Sequence, residues 1–145
     1  FDLTHLKKIH HYIFQDIYSW AGQFRMVNIS KELLFCDVNF IEKELNKLFL
    51  KLKGENYLKD CSEDNIAAKA AYYLGEINAI HPFREGNGRT QREFIRELLL
   101  PTGFYVDYSR CNAKMMLYAS INAFAGDYTL MTELFDKCIV RKPLN

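Results

Sequence analysis

The feature that most limits the possible folds is a tight polar break, residues 81–88, between two stretches with helical periodicity. Before the break, apolar side chains recur on one helix face, at Ile66, Ala70, Tyr73, Ile77 and Ile80. After it, a second apolar face consists of Phe94, Ile95, Leu98 and Leu99. Pro82 ends the first helix. The pattern therefore predicts two helices joined by a short loop, with His81 delivered to that loop.

The Gly-Asn-Gly sequence of residues 86–88 is suited to binding an anion. Its glycines allow consecutive backbone N–H groups to turn toward one point. Asn87 is a favourable N-cap residue, so we predict a helix from about Gly88 that adds its positive dipole end. Three arginines then fall on one helix face: Arg89, Arg92 and Arg96. Guanidinium groups on successive turns can reach successive phosphates, which predicts a polyphosphate site.

Two further side chains beside this anion site have catalytic potential. Glu85 can ligate a Mg²⁺ ion shared with the phosphates, because that ion takes only one or two protein carboxylates. His81 can accept a proton from an attacking hydroxyl. Each feature also has a structural alternative: a packed histidine, a zinc half-site without a third ligand, an ordinary turn, or solvated helix charges. Their concentration within residues 81–92 favours a joint function.

Residues 81–92 match the signature of the Fic family: His, any residue, Phe, any residue, Asp or Glu, Gly-Asn-Gly-Arg, two free positions, then Arg. A second resemblance lies in the segment that leads into the family's active-site flap. It is carried by Trp20-Ala21-Gly22, Phe24-Arg25 and residues 27–31. The predicted helices follow the family's order, so the resemblance covers nearly the whole chain. It implies an all-α, Fic-type helical bundle with one small β-hairpin flap beside the active site.

The resemblance also implies an activity, the transfer of AMP from ATP to a Ser, Thr or Tyr hydroxyl of a target protein, with release of pyrophosphate. By that resemblance His81 is the general base, and Glu85 holds Mg²⁺ between the α- and β-phosphates. ATP as substrate and Mg²⁺ are therefore the expected small partners. A hydroxyl-bearing target protein is the expected macromolecular partner.

The remaining roles that the resemblance implies concern nucleotide binding. Gly86, Asn87 and Gly88 cradle the phosphates, with the Asn87 side chain near the α-phosphate. Arg89 binds toward the β-phosphate and Arg92 toward the γ-phosphate, while Phe83 anchors the loop in the core. Tyr118, together with Leu117, aligns with positions that approach adenine in some relatives. The neighbouring Met115 and Met116 are interpreted as core residues.

Three other functions stay open at this point. A relative of the family with a divergent motif transfers phosphate itself, although the full Gly-Asn-Gly-Arg sequence here argues against that activity. Some members transfer other phosphate-linked groups or remove AMP from a modified protein. The domain could also be a catalytically silent module that senses nucleotide or binds protein, but binding alone would not need both His81 and Glu85.

The rest of the chain is predicted to be mostly helical. A first helix has one face marked by Leu3, Leu6, His10, Ile13 and Ile17 and ends near Gly22. Val38 to Leu52 is predicted as an amphipathic helix with Ile41, Leu45, Leu48, Phe49 and Leu52 on its apolar face. Ser62 caps the helix that leads to His81. Two later helices begin near Ser109 or Asn112 and after Asp127, the last with Leu130, Leu134, Phe135 and Cys138 on its apolar face.

Two short extended runs, Met26–Ile29 and Leu33–Phe35, flank Ser30-Lys31-Glu32 and predict a small hairpin. A free hairpin edge could pair with an extended segment of another protein and place its side chain beside His81. Ile29, Ser30 and Lys31 are therefore the candidate target-binding flap. The alternative is an ordinary loop, because the turn lacks Asn-Gly or Asp-Gly.

Length and charge restrict the remaining possibilities. The 145 residues are expected to form a single Fic domain over residues 1–145. The net charge of +1 gives no electrostatic case for nucleic acid or an anionic membrane. No apolar run is long enough to span a bilayer and no signal peptide is visible, which favours the cytoplasm, or the cytosol of a target cell after delivery. The first residue is Phe1 rather than Met, so we expect a fragment of a longer chain.

The sequence does not contain a complete inhibitory helix of the kind found in many family members. That helix carries Ser or Thr, three free residues, Glu, then Gly or Asn, and its Glu pairs with the second motif arginine, here Arg92. Thr129 to Glu133 matches in part but is followed by Leu134. We therefore expect inhibition by an antitoxin-like partner, as in a toxin–antitoxin pair, or by a helix outside the fragment.

Overall fold

The computed structural model describes residues 1–29 and 34–143. Its described helices are α1 (Leu3–Phe14), α2 (Ile41–Gly54), α3 (Glu63–Ile80), α4 (Asn87–Leu99), α5 (Ala113–Phe124) and α6 (Thr129–Cys138). Short 3₁₀ turns lie at Val38–Phe40, Asn56–Leu58, Leu100–Thr102 and Tyr108–Arg110. Two strands, β1 (Phe104–Val106) and β2 (Ile139–Arg141), complete the fold. The predicted all-α, Fic-type helical bundle is confirmed, whereas the observed small sheet is not the predicted flap hairpin.

The central helix of the bundle is α3, which contacts α2, α4, α5 and α6. Its predicted apolar face is buried, and so are the predicted faces of α2 and α4. Ser62 and Asn112 occupy the N-cap positions of α3 and α5, as predicted. These predictions succeed because helical periodicity is a local property of the sequence. The consequence for the site is that a rigid core holds the end of α3 against the start of α4.

Two predicted helix faces differ from the structure. The first helix ends at Phe14, so Ile17 lies in a turn with 65% of its surface exposed. The buried face of α1 is Leu6, Ile9, His10 and Phe14. In α6, Leu130 is 42% exposed and Met131 is buried in its place. In both cases the neighbouring elements, rather than the local pattern, decide which face is covered.

The two-stranded sheet joins parts of the chain that are far apart in sequence. β1 and β2 are antiparallel, with Phe104 opposite Arg141 and Val106 opposite Ile139. Phe104 to Tyr108 is a short apolar run in the sequence, but nothing in the sequence indicates a partner strand for it. Strands of three residues have too few positions to show an alternating pattern.

The predicted flap hairpin falls partly on residues 30–33, which lie outside the described residues. Within the described part, residues 26–29 form bends and irregular backbone, and Leu34 forms an isolated bridge. The flap therefore stays a prediction. None of the helices in the described part of the chain is long and apolar enough to cross a membrane.

Candidate active site

His81 follows α3 in an unusual backbone conformation. It is the C-cap residue, with φ 51° and ψ 63° in the left-handed region, and its N–H donates to the Ile77 carbonyl at 2.9 Å. A side chain with a β-carbon is disfavoured in this region, so surrounding contacts must maintain it. The His81 ring lies parallel to the Phe35 ring, with centroids 3.9 Å apart and an interplanar angle of 9°. Both His81 and Phe35 line a large cavity.

The loop after His81 is anchored by Phe83, which is only 1% exposed. The His10 ring of α1 stacks on Phe83 at 3.9 Å between centroids. His10 also accepts a hydrogen bond from the Gly22 N–H on Nδ1 at 2.8 Å, which leaves Nε2 to donate to the Glu85 carbonyl at 2.9 Å. Burial lowers the pKa of His10, which favours this neutral form. Phe83 thus anchors the loop, and His10 provides a second support.

Asn87 differs from the prediction in its local role. α4 begins at Asn87 itself, with Gly86 as the N-cap residue, one position earlier than expected. The Asn87 side chain is buried and turns back to Phe83, accepting from its N–H at 2.8 Å and donating to its carbonyl at 2.6 Å. Asn87 therefore locks the loop instead of capping the helix. The reason is that the side-chain amide has both an acceptor oxygen and a donor NH₂ group, which together satisfy the N–H and the carbonyl of Phe83.

Of the two glycines beside Asn87, Gly86 is required by shape. Gly86 has φ +82°, and a β-carbon there would lie 2.3 Å from Cε2 of Phe14. Gly88 lines the cavity, and a β-carbon there would lie 3.1 Å from Nη1 of Arg92. The N-cap residue of α4, Gly86, has no side chain that could cap the helix. Its first N–H groups therefore lack intrahelical partners and, with the helix dipole, form an anion-binding end.

The three arginines on one face of α4 have different surroundings. Arg96 forms a two-point ion pair with Glu93, at 2.9 and 2.7 Å. Neither Arg89 nor Arg92 forms an ion pair with the described residues. The Arg89 guanidinium lies 5.9 Å from the Phe14 ring centroid, and Arg92 lines the cavity beside His81. Arg89 and Arg92 are thus the arginines available to an anion, whereas Arg96 is engaged within α4.

Glu85 is exposed directly before Gly86, at the anion-binding end of α4. Among the described residues, no group of three or more His, Cys, Asp or Glu side chains could hold a metal ion. A single carboxylate does not make an independent metal site. It does fit an ion that arrives with phosphate oxygens, since Mg²⁺ prefers hard oxygen ligands and needs few from the protein.

The cavity beside His81 has a volume of about 800 Å³. One end is polar and basic, with His81, Gly88 and Arg92. The other end is a largely apolar wall from α5, made of Ala113, Met116, Leu117 and Ile121. Clefts of about 300–1,000 Å³ with apolar walls and a few polar groups are typical of small-molecule sites. The two ends suit a ligand that has a planar apolar part and an anionic part.

Sequence reasoning missed most of the apolar wall. Met116 was interpreted as core, but it is half-buried and faces the cavity as well as the core. Tyr118 is 54% exposed and is absent from the described lining, whereas its neighbour Leu117 lines the cavity. A signal was available, because the wall positions of α5 recur at intervals of three and four residues. The polar lining residues Asn78, Gln91, Tyr108, Cys111, Asn112 and Ser120 were also not predicted.

A second groove, of about 750 Å³, lies between α1 and α4. Arg89, Arg92 and Arg96 face it from α4, and Lys8 and Tyr12 face it from α1. Tyr108, like Arg92, lines both the groove and the main cavity. Its hydroxyl donates to the Arg92 carbonyl at 2.8 Å, and burial raises the pKa of Tyr108, which keeps that donor protonated. Arg92 therefore borders both the main cavity and the groove between α1 and α4.

The candidate flap residues can be placed only in part. Ile29 is half-buried in the irregular segment after Arg25. Ser30 and Lys31 lie outside the described residues. Their role in target binding stays a prediction.

Comparison with known proteins identifies the family to which the chain is similar. The model of the Fic/DOC family matches residues 1–99. Protein adenylyltransferase VbhT of Bartonella schoenbuchensis is 40% identical over 146 residues, which are 100% of this chain and 30% of VbhT. Probable protein adenylyltransferase y4lH of Sinorhizobium fredii is 44% identical over 128 residues, 87% of this chain and 67% of the relative. The chain thus spans under a third of VbhT but two thirds of y4lH.

A solved structure extends the likeness to three dimensions. The N-terminal Fic domain of a VirB-translocated Bep effector protein from Bartonella quintana, with bound ADP, is 31% identical and has a TM-score of 0.94. The match covers 97% of this chain and 74% of that chain. The fold, the motif between α3 and α4 and these matches together define the class. The chain belongs to the Fic/DOC family.

Proposed function

We propose that this chain is a protein adenylyltransferase that transfers AMP from ATP to a Ser, Thr or Tyr hydroxyl of a target protein. The observation that carries the proposal is one cavity, lined at one end by His81 and the anion-binding start of α4 and at the other by the apolar wall of α5. The names of VbhT and y4lH and the ADP bound to the B. quintana domain support it.

The proposed reaction uses His81 as general base. Its imidazole accepts the proton of the target hydroxyl while the hydroxyl oxygen attacks the α-phosphorus of ATP. A new oxygen–phosphorus bond forms, the bond from the α-phosphorus to the bridging oxygen breaks, and pyrophosphate leaves with the electron pair. General-base assistance contributes about 10²–10⁴-fold to such a step.

The anion-binding end of α4 would hold and orient the triphosphate. Backbone N–H groups at Gly88 and Arg89 offer donors to phosphate oxygens, and the Arg89 and Arg92 guanidinium groups stabilise the charge on the leaving pyrophosphate. Glu85 would hold Mg²⁺, which neutralises phosphate charge when bound. Asn87 supports the loop from its bonds to Phe83 and is proposed to lie near the α-phosphate.

The groove between α1 and α4 is the proposed site of inhibition by an antitoxin-like partner or by a helix beyond residues 1–145. Its lining carries Glu93 and Glu97 as well as Lys8 and the three arginines of α4. Arg89 and Arg92, which form no ion pair with the described residues, suit an acidic side chain. Because Arg92 borders both spaces, such a side chain would compete with the γ-phosphate for the same guanidinium. The proposed place of action is a cytosol, that of the producing cell or of a target cell. In support, the B. quintana neighbour is described as VirB-translocated.

The test uses ATP labelled separately at the α- and γ-phosphates, incubated with Mg²⁺, a cell lysate and the protein. We expect protein to acquire the α-label only, and His81→Ala to lose this transfer by about 10²-fold or more. ATP binding should persist in His81→Ala, since the phosphates are held by α4. His11→Ala is the matched control, because His11 is exposed on α1 and faces the Ala21 carbonyl.

Other outcomes would identify the alternatives. Label from the γ-position only would indicate a kinase. Full activity in His81→Ala would exclude His81 as the base. Nucleotide binding without any label transfer, in lysates that support a known adenylyltransferase, would favour a nucleotide-sensing module.

A further inference from the structure

Arg25 is a buried cation at the end of α3, with 5% of its surface exposed. Its Nε donates to the His81 carbonyl at 2.7 Å, and one Nη donates to the Ile80 carbonyl at 3.1 Å. These carbonyls belong to the last residue of α3 and to its left-handed cap. The guanidinium therefore holds the backbone from which the His81 imidazole projects.

The same guanidinium also holds both flanks of the predicted flap. It donates to the Val27 carbonyl at 2.8 Å and to the Cys36 carbonyl at 2.5 Å. Two backbone bonds run alongside, from the Arg25 N–H to the Pro82 carbonyl at 2.9 Å and from the Cys36 N–H to the Ala79 carbonyl at 3.2 Å. The two flanks of the predicted flap, at residues 25–27 and at Cys36, are thus both fastened to the end of α3.

The electrostatics suit a cation that is paired with backbone carbonyls. Within residues 1–29 and 34–143, no carboxylate forms an ion pair with Arg25. Burial lowers the pKa of Arg25, but a guanidinium remains charged at any physiological pH. The negative end of the α3 dipole and four carbonyl oxygens compensate for its lost hydration. A planar group with five donors can satisfy this set, whereas a lysine ammonium cannot reproduce its geometry.

The contact that this clamp maintains is the stacking of Phe35 on His81. Phe35 precedes Cys36, whose carbonyl Arg25 binds, and its ring lies 3.9 Å from that of His81 at an angle of 9°. Both rings line the cavity. Arg25 thereby fixes the two backbone positions from which the stacked rings project.

We infer that Arg25 is a positioning residue for His81, acting by holding the left-handed cap and the Phe35 flank in one arrangement. Its effect on the reaction rests on the proposed adenylyl transfer. Its effect on the geometry does not, because the stacked rings can be observed without nucleotide or target.

The geometric test is NMR of the His81 ring protons in the protein without ligands, assigned with His81→Ala. Phe35→Leu provides the positions of these signals without the stacked ring. We expect Arg25→Lys to move the signals toward the Phe35→Leu positions, and Arg25→Gln to move them further if that variant folds. Asn28→Ala is the matched control, because Asn28 accepts from the Val38 N–H at 2.7 Å and joins the same flanks without touching α3.

The inference is overturned if Arg25→Lys leaves the His81 signals at their wild-type positions, or if Asn28→Ala displaces them equally. The kinetic test follows α-label transfer at saturating ATP. We expect Arg25→Lys to reduce the maximal rate by about tenfold or more, since small misplacements of reacting groups are costly, with the KM for ATP within about twofold of wild type. If wild-type protein transfers no label, the proposed function fails, while the NMR result still decides the role of Arg25.

Discussion

Gly86 combines two steric requirements at one α-carbon. Its φ of +82° belongs to the left-handed region, and the space beside it is occupied by the Phe14 ring. Phe14 is 3% exposed, so its ring cannot move aside without disturbing the core between α1 and α4. The anion-binding start of α4 therefore depends on a residue without a side chain.

We predict that Gly86→Ala destabilises the protein more than Gly103→Ala does. Gly103 also has a positive φ, +91°, but a β-carbon there would meet nothing within 4 Å. Gly103→Ala should cost only the left-handed strain, about 1–2 kcal/mol, whereas Gly86→Ala adds the clash with Phe14. Urea unfolding measures the difference. If the free energy of unfolding fell equally in both variants, the Phe14 ring would have moved aside at little cost and the prediction would be wrong.

At the scale of the elements, the cavity is divided between α4 and α5. The start of α4 supplies charge and N–H groups, and α5 supplies an apolar wall that includes Met116. The proposed ligand, ATP, would be held at its phosphates by one helix and at its base by the other. This division can be tested, because inorganic triphosphate resembles only one half of ATP.

We predict that Met116→Ala weakens ATP binding by at least about tenfold and leaves triphosphate binding unchanged. Arg92→Ala should weaken the binding of both ligands, because it removes a phosphate contact. Isothermal titration calorimetry with Mg²⁺ present gives both affinities. Leu130→Ala serves as the control, since Leu130 is partly exposed on α6 and is not among the described cavity residues. Loss of triphosphate affinity in Met116→Ala would contradict the division.

For the whole molecule, His10 connects three separate parts of the chain. It lies in α1, accepts from the N–H of Gly22 and donates to the carbonyl of Glu85. Protonation would place a hydrogen on Nδ1, facing the Gly22 N–H, and would introduce a buried charge. Burial accordingly lowers the pKa of His10 below its ordinary value of 6.5.

This lowered pKa predicts acid sensitivity of the fold. The unfolded chain binds a proton at His10 at a higher pH than the folded protein does, so the contribution to stability is complete above about pH 6.5 and is lost as the pH falls below it. Between about pH 7.5 and 5.5, the free energy of unfolding should fall more steeply in wild type than in His10→Gln, by an amount on the order of 1 kcal/mol.

The control for this prediction is His11→Gln. His11 is exposed on the same helix, and its charge adds only a smaller contribution than burial to the lowered pKa of His10. This variant should therefore keep most of the wild-type pH dependence. Urea unfolding at a series of pH values supplies the measurement. If wild type and His10→Gln lose stability in parallel, His10 is not the titrating group.

The sequence by itself predicted the helices, their main buried faces and the motif between α3 and α4. The buried faces of α2 and α3 could be read because helical periodicity repeats within a few residues. Residues 81–92 could be read because they are contiguous, so His81, the glycines and the arginines needed no folding to be brought together. The family and the proposed chemistry follow from that stretch.

Only the tertiary structure decided what surrounds the stretch. The apolar wall of α5, the Arg25 clamp, the support from His10 and the pairing of β1 with β2 all join residues that are distant in sequence. Asn87 shows the limit of prediction from residue type alone. An asparagine suits a helix N-cap, but this side chain forms hydrogen bonds with the backbone of Phe83 instead. The physical reason is that a local pattern specifies which face of an element is apolar, whereas the partner of each face and of each buried polar group depends on how the whole chain packs.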